Sequence, residues 1–154
     1  MTQKPPPDRE EVEKEEEELA ISDARAYTGP DVRVFYDRGR CLHFAECVRG
    51  LPEVFDIEKR PWIQPQNASA EQVAEVVRRC PSGALHYRLK EGPREDPERP
   101  TRVAFVANGP MNLRGDLSIE VPGGERMREV RASLCRCGRT ENEPFCDQAC
   151  SRTG

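Results

Sequence analysis

The stretch "LCRCGRTENEPFCDQACSRTG", residues 134–154, holds four of the chain's seven cysteines. What those thiols grip decides how the rest must fold. Cys135 and Cys137 are two residues apart, and in an extended strand alternate side chains point to one side, so both can hold the same ion. Cys146 and Cys150 are four apart. One helical turn puts that pair on a single face, with Asp147 near the turn's N-terminus. Between the pairs, Gly138 and Pro144 supply a tight reversal that brings them face to face. Four thiolates so arranged suit one tetrahedral zinc, or two sulfide-bridged irons with two thiolates each, and spacing alone does not choose. A disulfide staple is disfavoured. Seven cysteines cannot pair completely, and residues 1–30 contain no apolar export segment, so the expected setting is a reducing cytoplasm.

Upstream of this stretch the chain reads as a small β meander. The segments 102–107, 111–121 and 126–134 have strand character, separated by the turns "NGP" (108–110) and "PGG" (122–124). Residues 91–100 are rich in proline and charge and read as a linker. Before the linker, "DVRVFYDRGRC" (31–41) predicts a strand over 32–36 that delivers Cys41. "SAEQVAEVVRRCP" (69–81) opens with Ser69 and Gln72 at capping-box spacing and sets Val73, Val76 and Val77 on one helical stripe. Cys80 continues that stripe, Pro81 stops the helix, and "ALHYRL" (84–89) returns as a strand. The fold class expected is α+β: an α+β module over 31–90 and a β-rich module over 101–154. Residues 1–30 read as an acidic, disordered tail, because the first 20 carry eight acidic and three basic side chains and few large apolar ones.

The C-terminal motif resembles the CDGSH iron–sulfur (NEET) family. Its pattern is C-x-C, two residues, Ser or Thr, three residues, Pro, one residue, then C-D-G-S/A-x-H or C-D-G-S-H, the latter setting its histidine at position 150. Cys135, Cys137, Thr140, Pro144, Cys146 and Asp147 occupy matching positions. The resemblance implies a [2Fe–2S] cluster. It departs at Gln148 and Ala149, where Gly and Ser are expected, and at Cys150, where the family has a ligating histidine. An all-cysteine site is therefore expected, held by Cys135, Cys137, Cys146 and Cys150, with a lower potential and no imidazole titration near neutral pH.

The remaining cysteines, Cys41, Cys47 and Cys80, lie in "CLHFAEC" and "CPSGAL". Residues 31–90 are similar to a divergent mono-cluster ferredoxin. One thiolate of the usual four-iron loop is missing, its place taken by Phe44. The resemblance implies a [3Fe–4S] cluster on three cysteines, the reading favoured here, or a [4Fe–4S] cluster with a non-cysteine fourth ligand, for which His43 is the candidate. His86 reads as a strand-face residue, and Phe35, Tyr36, Phe55, Trp62 and Tyr87 as small-core residues.

Other functions find little support. The net charge is −4 and residues 21–154 are nearly neutral, without the basic, aromatic-interleaved stripe of a nucleic-acid binder. The longest apolar run, "VAFVA" (103–107), is too short to cross a bilayer. "RGD" (114–116) and "NAS" (67–69) lack the extracellular context that would give them meaning, and no nucleophile or acid–base constellation points to an independent enzyme. The expected role is one-electron transfer with a redox partner protein. Cluster storage, delivery or redox sensing is the first alternative, and a zinc-stabilised interaction module the second. CDGSH modules often pair as dimers, which leaves two assemblies open: a homodimer, or docking of this β-rich lead-in on the chain's own ferredoxin-like half.

Overall fold

The computed structural model describes residues 24–149. The acidic segment up to residue 23 and Cys150 lie outside them. Among the described residues, two three-stranded antiparallel sheets and two short α-helices make an α+β fold.

The first sheet has the order β1 (Arg25–Thr28), β2 (Val32–Tyr36), β3 (Leu85–Leu89). Strand β1 lies inside the stretch read from sequence as an acidic tail, which corrects that boundary. The acidic run ends before Ala20, and Tyr27 is apolar enough to bury on the sheet. Helix α1 (Glu46–Gly50) and helix α2 (Ala70–Arg78) join this sheet. Helix α2 starts where the capping box predicts: the Gln72 N–H donates to Ser69 Oγ (3.2 Å) and the Ser69 N–H donates to Gln72 Oε1 (3.1 Å). Its apolar stripe, Val73, Val76 and Val77, packs against Val34, Leu85 and Tyr87. Each fully buried valine contributes about 1.5–3 kcal/mol by leaving water.

The second sheet is β4 (Arg102–Phe105), β5 (Met111–Glu120), β6 (Arg126–Leu134). Register shifts between Arg114 and Leu117, at the "RGD" tripeptide. Glycine is required at that bulge, since a Cβ on Gly115 would stand 2.4 Å from Thr101 Oγ1. Among the described residues its small apolar cluster is Leu117, Ala132 and Phe145, with Leu113, Ile119, Met127 and Leu134 partly buried against it.

Polar docking onto the first unit supplies what this small core lacks. The fully buried Arg131 donates to the carbonyls of Val77 (2.9 Å), Cys80 (2.6 Å) and Leu85 (2.8 Å). Arg114 donates to those of Arg78 (2.8 Å) and Arg79 (3.3 Å). Four of these five carbonyls, those of Val77, Arg78, Arg79 and Cys80, lie at the C-terminal end of α2, to whose negative end the two arginines also present cations. The linker is part of this docking: Glu95 accepts two hydrogen bonds from Arg131, both 2.9 Å. Gly83, at φ +72°, allows the close approach, because a Cβ there would stand 2.3 Å from Arg131 O and from Arg40 Nη2.

Candidate metal centres

At one end of the first core, three loops deliver three thiols. Cys41 follows a 3-10 turn (Arg38–Arg40) capped by Asp37, whose side chain accepts from the Gly39 N–H (2.9 Å). Cys47 stands in α1, whose entry needs left-handed backbone at His43 (φ +57°) and Ala45 (φ +63°). Cys80 lies two residues past the last turn of α2 and packs, like Cys47, against the core. All three are half-buried. Burial first, and then the neighbouring Cys80, push the Cys47 thiol up to about 11; Cys41 adds in the same direction. Burial and a hydrogen bond to Cys41 likewise raise the pKa of Tyr36, whose ring meets Trp62 edge-on at 4.9 Å. The expected trio is therefore gathered in one place. His43 is exposed, with Nδ1 4.0 Å from Cys41 Sγ. Phe44 occupies the vacant ligand position in the loop.

The second site forms where β6 ends. Cys135 and Cys137 have their sulfurs 3.6 Å apart, and with Cys146 they line an open cavity of about 460 Å³ bounded on another side by Asn108 and Gly109. The reversal expected between the pairs is fixed by backbone bonds: the Cys135 N–H donates to Pro144 O (2.8 Å) and the Cys146 N–H donates to Ser133 O (2.9 Å). The Thr140 hydroxyl donates to Phe145 O (2.7 Å), and Asp147 accepts from the N–H groups of Glu141 and Ala149, both 3.0 Å. Backbone donors point at the sulfurs. Gly138 N–H reaches Cys135 Sγ (3.3 Å), Arg139 N–H reaches Cys137 Sγ (3.4 Å) and Gln148 N–H reaches Cys146 Sγ (3.4 Å). Slight burial pushes the Cys135 thiol up, but N–H donors from Thr140 and Gly138, with help from Cys137, outweigh it and lower the pKa below the ordinary thiol value.

Among the described residues, no three His, Cys, Asp or Glu side chains stand close enough to hold a single metal ion. At the second site the Cys135 and Cys137 sulfurs, 3.6 Å apart, are close enough to share one iron, as a [2Fe–2S] centre with two thiolates per iron requires.

Between the two sites lies a buried charge network absent from the sequence reading. Arg40, Glu129 and Arg131 are at most 3% exposed. Arg40 Nη1 donates to Glu129 Oε1 (2.5 Å), and His86 Nε2 lies 2.8 Å from Glu129 Oε2. Burial alone would raise the Glu129 pKa, but His86 and Arg40 reverse that and hold it below the usual carboxylate range. Among the described residues Arg40 Nε meets no hydrogen-bond acceptor, and the guanidinium lies over the Phe145 ring, 4.0 Å from its centroid. His86 is thus on a strand face, as expected, but that face is covered by β6. Strand alternation gave no warning of it: Glu129, Arg131 and Ser133 lie two apart, on the side of β6 that sequence assigns to solvent.

Comparison with known proteins defines the class. Residues 27–90 match the family described as divergent 4Fe-4S mono-cluster, and residues 108–149 match the family described as iron-binding zinc finger, CDGSH type. The uncharacterized protein YjdI of Escherichia coli K12 is 41% identical over 66 residues, spanning 43% of this chain and 87% of YjdI, and its counterpart in E. coli O157:H7 gives the same figures. No solved structure matches. The chain is an iron–sulfur protein. It belongs to the divergent 4Fe-4S mono-cluster family through its first unit and carries a CDGSH-type iron-binding domain in its second. No helix among the described residues is long and apolar enough to cross a membrane.

Proposed function

We propose that the chain is a two-centre iron–sulfur protein acting in one-electron transfer. The observation that carries this reading is the partition of the described cysteines, with Cys41, Cys47 and Cys80 in the first matched unit and Cys135, Cys137 and Cys146 in the second. Cys41, Cys47 and Cys80 would hold a [3Fe–4S] centre, one thiolate per iron. Cys135, Cys137 and Cys146, with Cys150, would hold a [2Fe–2S] centre. His43, near Cys41 and at the edge of the site, favours a second form of the first centre: a [4Fe–4S] cluster with an imidazole ligand. When bound, such clusters supply reversible one-electron chemistry at potentials set by charge, hydrogen bonding and burial.

The chain's own residues set those terms differently at the two sites. Around Cys47 and Cys80, Leu51, Val54 and Val77 exclude water, while the Tyr36 hydroxyl bonds to Cys41. Around the second site, the Gly138, Arg139 and Gln148 N–H groups point at sulfur and ease its negative charge. The reading takes the protein as cytoplasmic, serving a redox partner protein, with homodimerisation to be tested by sedimentation.

Anaerobic purification from iron-replete cells, followed by iron, sulfide and zinc analysis, tests the assignment. Bound sulfide with five to six irons per chain is expected, depending on the form of the first centre. Zinc without sulfide would contradict it. Exposure of Cys137 at the open cavity favours a second role, delivery of a cluster to an acceptor. Transfer to an apo-protein faster than spontaneous decay would establish that role in place of electron transfer.

A further inference from the structure

Gln148 touches both cysteine sites. Its backbone N–H donates to Cys146 Sγ (3.4 Å), and its side-chain Nε2 donates to the carbonyl of Leu42 (3.2 Å), the residue after Cys41. It does so from φ +63°, a conformation that favours glycine. Glycine would satisfy the turn by itself, so the turn does not account for the long amide found there. The same loop makes two further contacts around Cys41. Asn142 Nδ2 donates to Gly39 O (3.3 Å), and Phe145, the residue before Cys146, carries the Arg40 guanidinium on its ring. Residues 39, 40 and 42 are thus all held by the loop that presents Cys146.

We propose that Gln148 is a positioning residue that couples the two centres, so that retention of iron at Cys41 depends on the Cys146 loop. This rests on the reading that both cysteine sets hold iron–sulfur centres. Removing the C-terminal centre frees the loop that grips residues 39–42, and Cys41 then loses its fixed position. Coupling of this kind is reciprocal in binding free energy but not in release rates, so the two centres need not respond equally in the kinetics of iron loss. No bond forms or breaks in the coupling, and no electron or proton moves.

The test is Gln148→Gly in the full chain, loaded anaerobically, with iron release to ferrozine followed by the separate electron paramagnetic resonance signals of the two centres. Glycine relaxes the backbone at Gln148, so release from the C-terminal centre should be unchanged or slower. Release from the N-terminal centre should quicken about fivefold or more, the lower range of site-to-site coupling. Gln148→Glu keeps the size but sets a carboxylate against the Leu42 carbonyl and should act in the same direction. Unchanged N-terminal release in both variants, with both centres present in the parent protein, would overturn the coupling alone. Equal acceleration of both centres would show a merely structural role and would also overturn it. A parent protein without sulfide would overturn the coupling together with the cluster assignment.

Discussion

The two units solve the problem of being small in opposite ways. The first buries thirteen core residues from Tyr27 to Tyr87 around α2 and keeps its thiols half in that core. Among the described residues the second has a cluster of three, Leu117, Ala132 and Phe145, and leans on the charges of Arg40, Glu129 and Arg131 for its seat on the first. Their sulfurs differ in the same sense. Cys47 is pushed up to about 11 by burial and its neighbour Cys80, so bound iron must supply the compensating charge. Cys135 is lowered by backbone N–H groups that favour its thiolate form. A core-built unit can tolerate a costly thiol site, whereas a docked one benefits from a site whose charge is already met.

The largest break in this comparison should come from Glu129→Ala. It leaves Arg40 buried without its carboxylate, a loss of about 3–5 kcal/mol. Urea unfolding should show the second unit lost first, and a single unshifted transition would refute the docking account. The same pair sets a pH dependence. The folded Glu129 pKa lies below the unfolded value of about 4.3, so its contribution is complete above that pH and is lost as pH falls through the folded value. The midpoint of the parent protein should therefore fall between pH 5 and 3 more steeply than that of Glu129→Ala.

Gly83→Ala should be next, costing about 1–3 kcal/mol. Its Cβ meets Arg131 O and Arg40 Nη2, and φ +72° strains any side chain. Thermal unfolding measures the loss, and a neutral result would mean the units are not packed this closely. Cys150→His sharpens the contrast between the centres without touching the seat. It should raise the potential of the second centre by about a hundred millivolts or more and make that potential vary with pH near neutrality, leaving the first centre as it was. Potentiometric titration reads both, and an unmoved second potential would remove Cys150 from the ligand set.

Much of this was legible in the sequence where one periodicity met one chemistry. Ser69 and Gln72 marked the start of α2, the valine stripe its buried face, and "NGP" and "PGG" the turns of the second sheet. Cys135, Cys137 and Cys146 were readable because their spacing and the reversal at Gly138 are local. Illegible were the features that depend on where the second unit sits. A charged residue on alternate strand positions is normally wet, so nothing in "RMREVRASL" signals that Glu129 and Arg131 are dry. Strand β1 was hidden because a four-residue edge strand beside an acidic run has too little pattern to stand out. Glu95 hid within a proline-rich stretch for the same reason: its partner, Arg131, is 36 residues away.

The most direct test is a redox titration of the anaerobic full chain followed by electron paramagnetic resonance. Two distinct paramagnetic centres, each changing by one electron and each lost separately when Cys47 or Cys137 is replaced by serine, are the expected result. A single centre, or zinc-loaded protein with no redox-active signal, would contradict the claim that this chain carries two iron–sulfur sites.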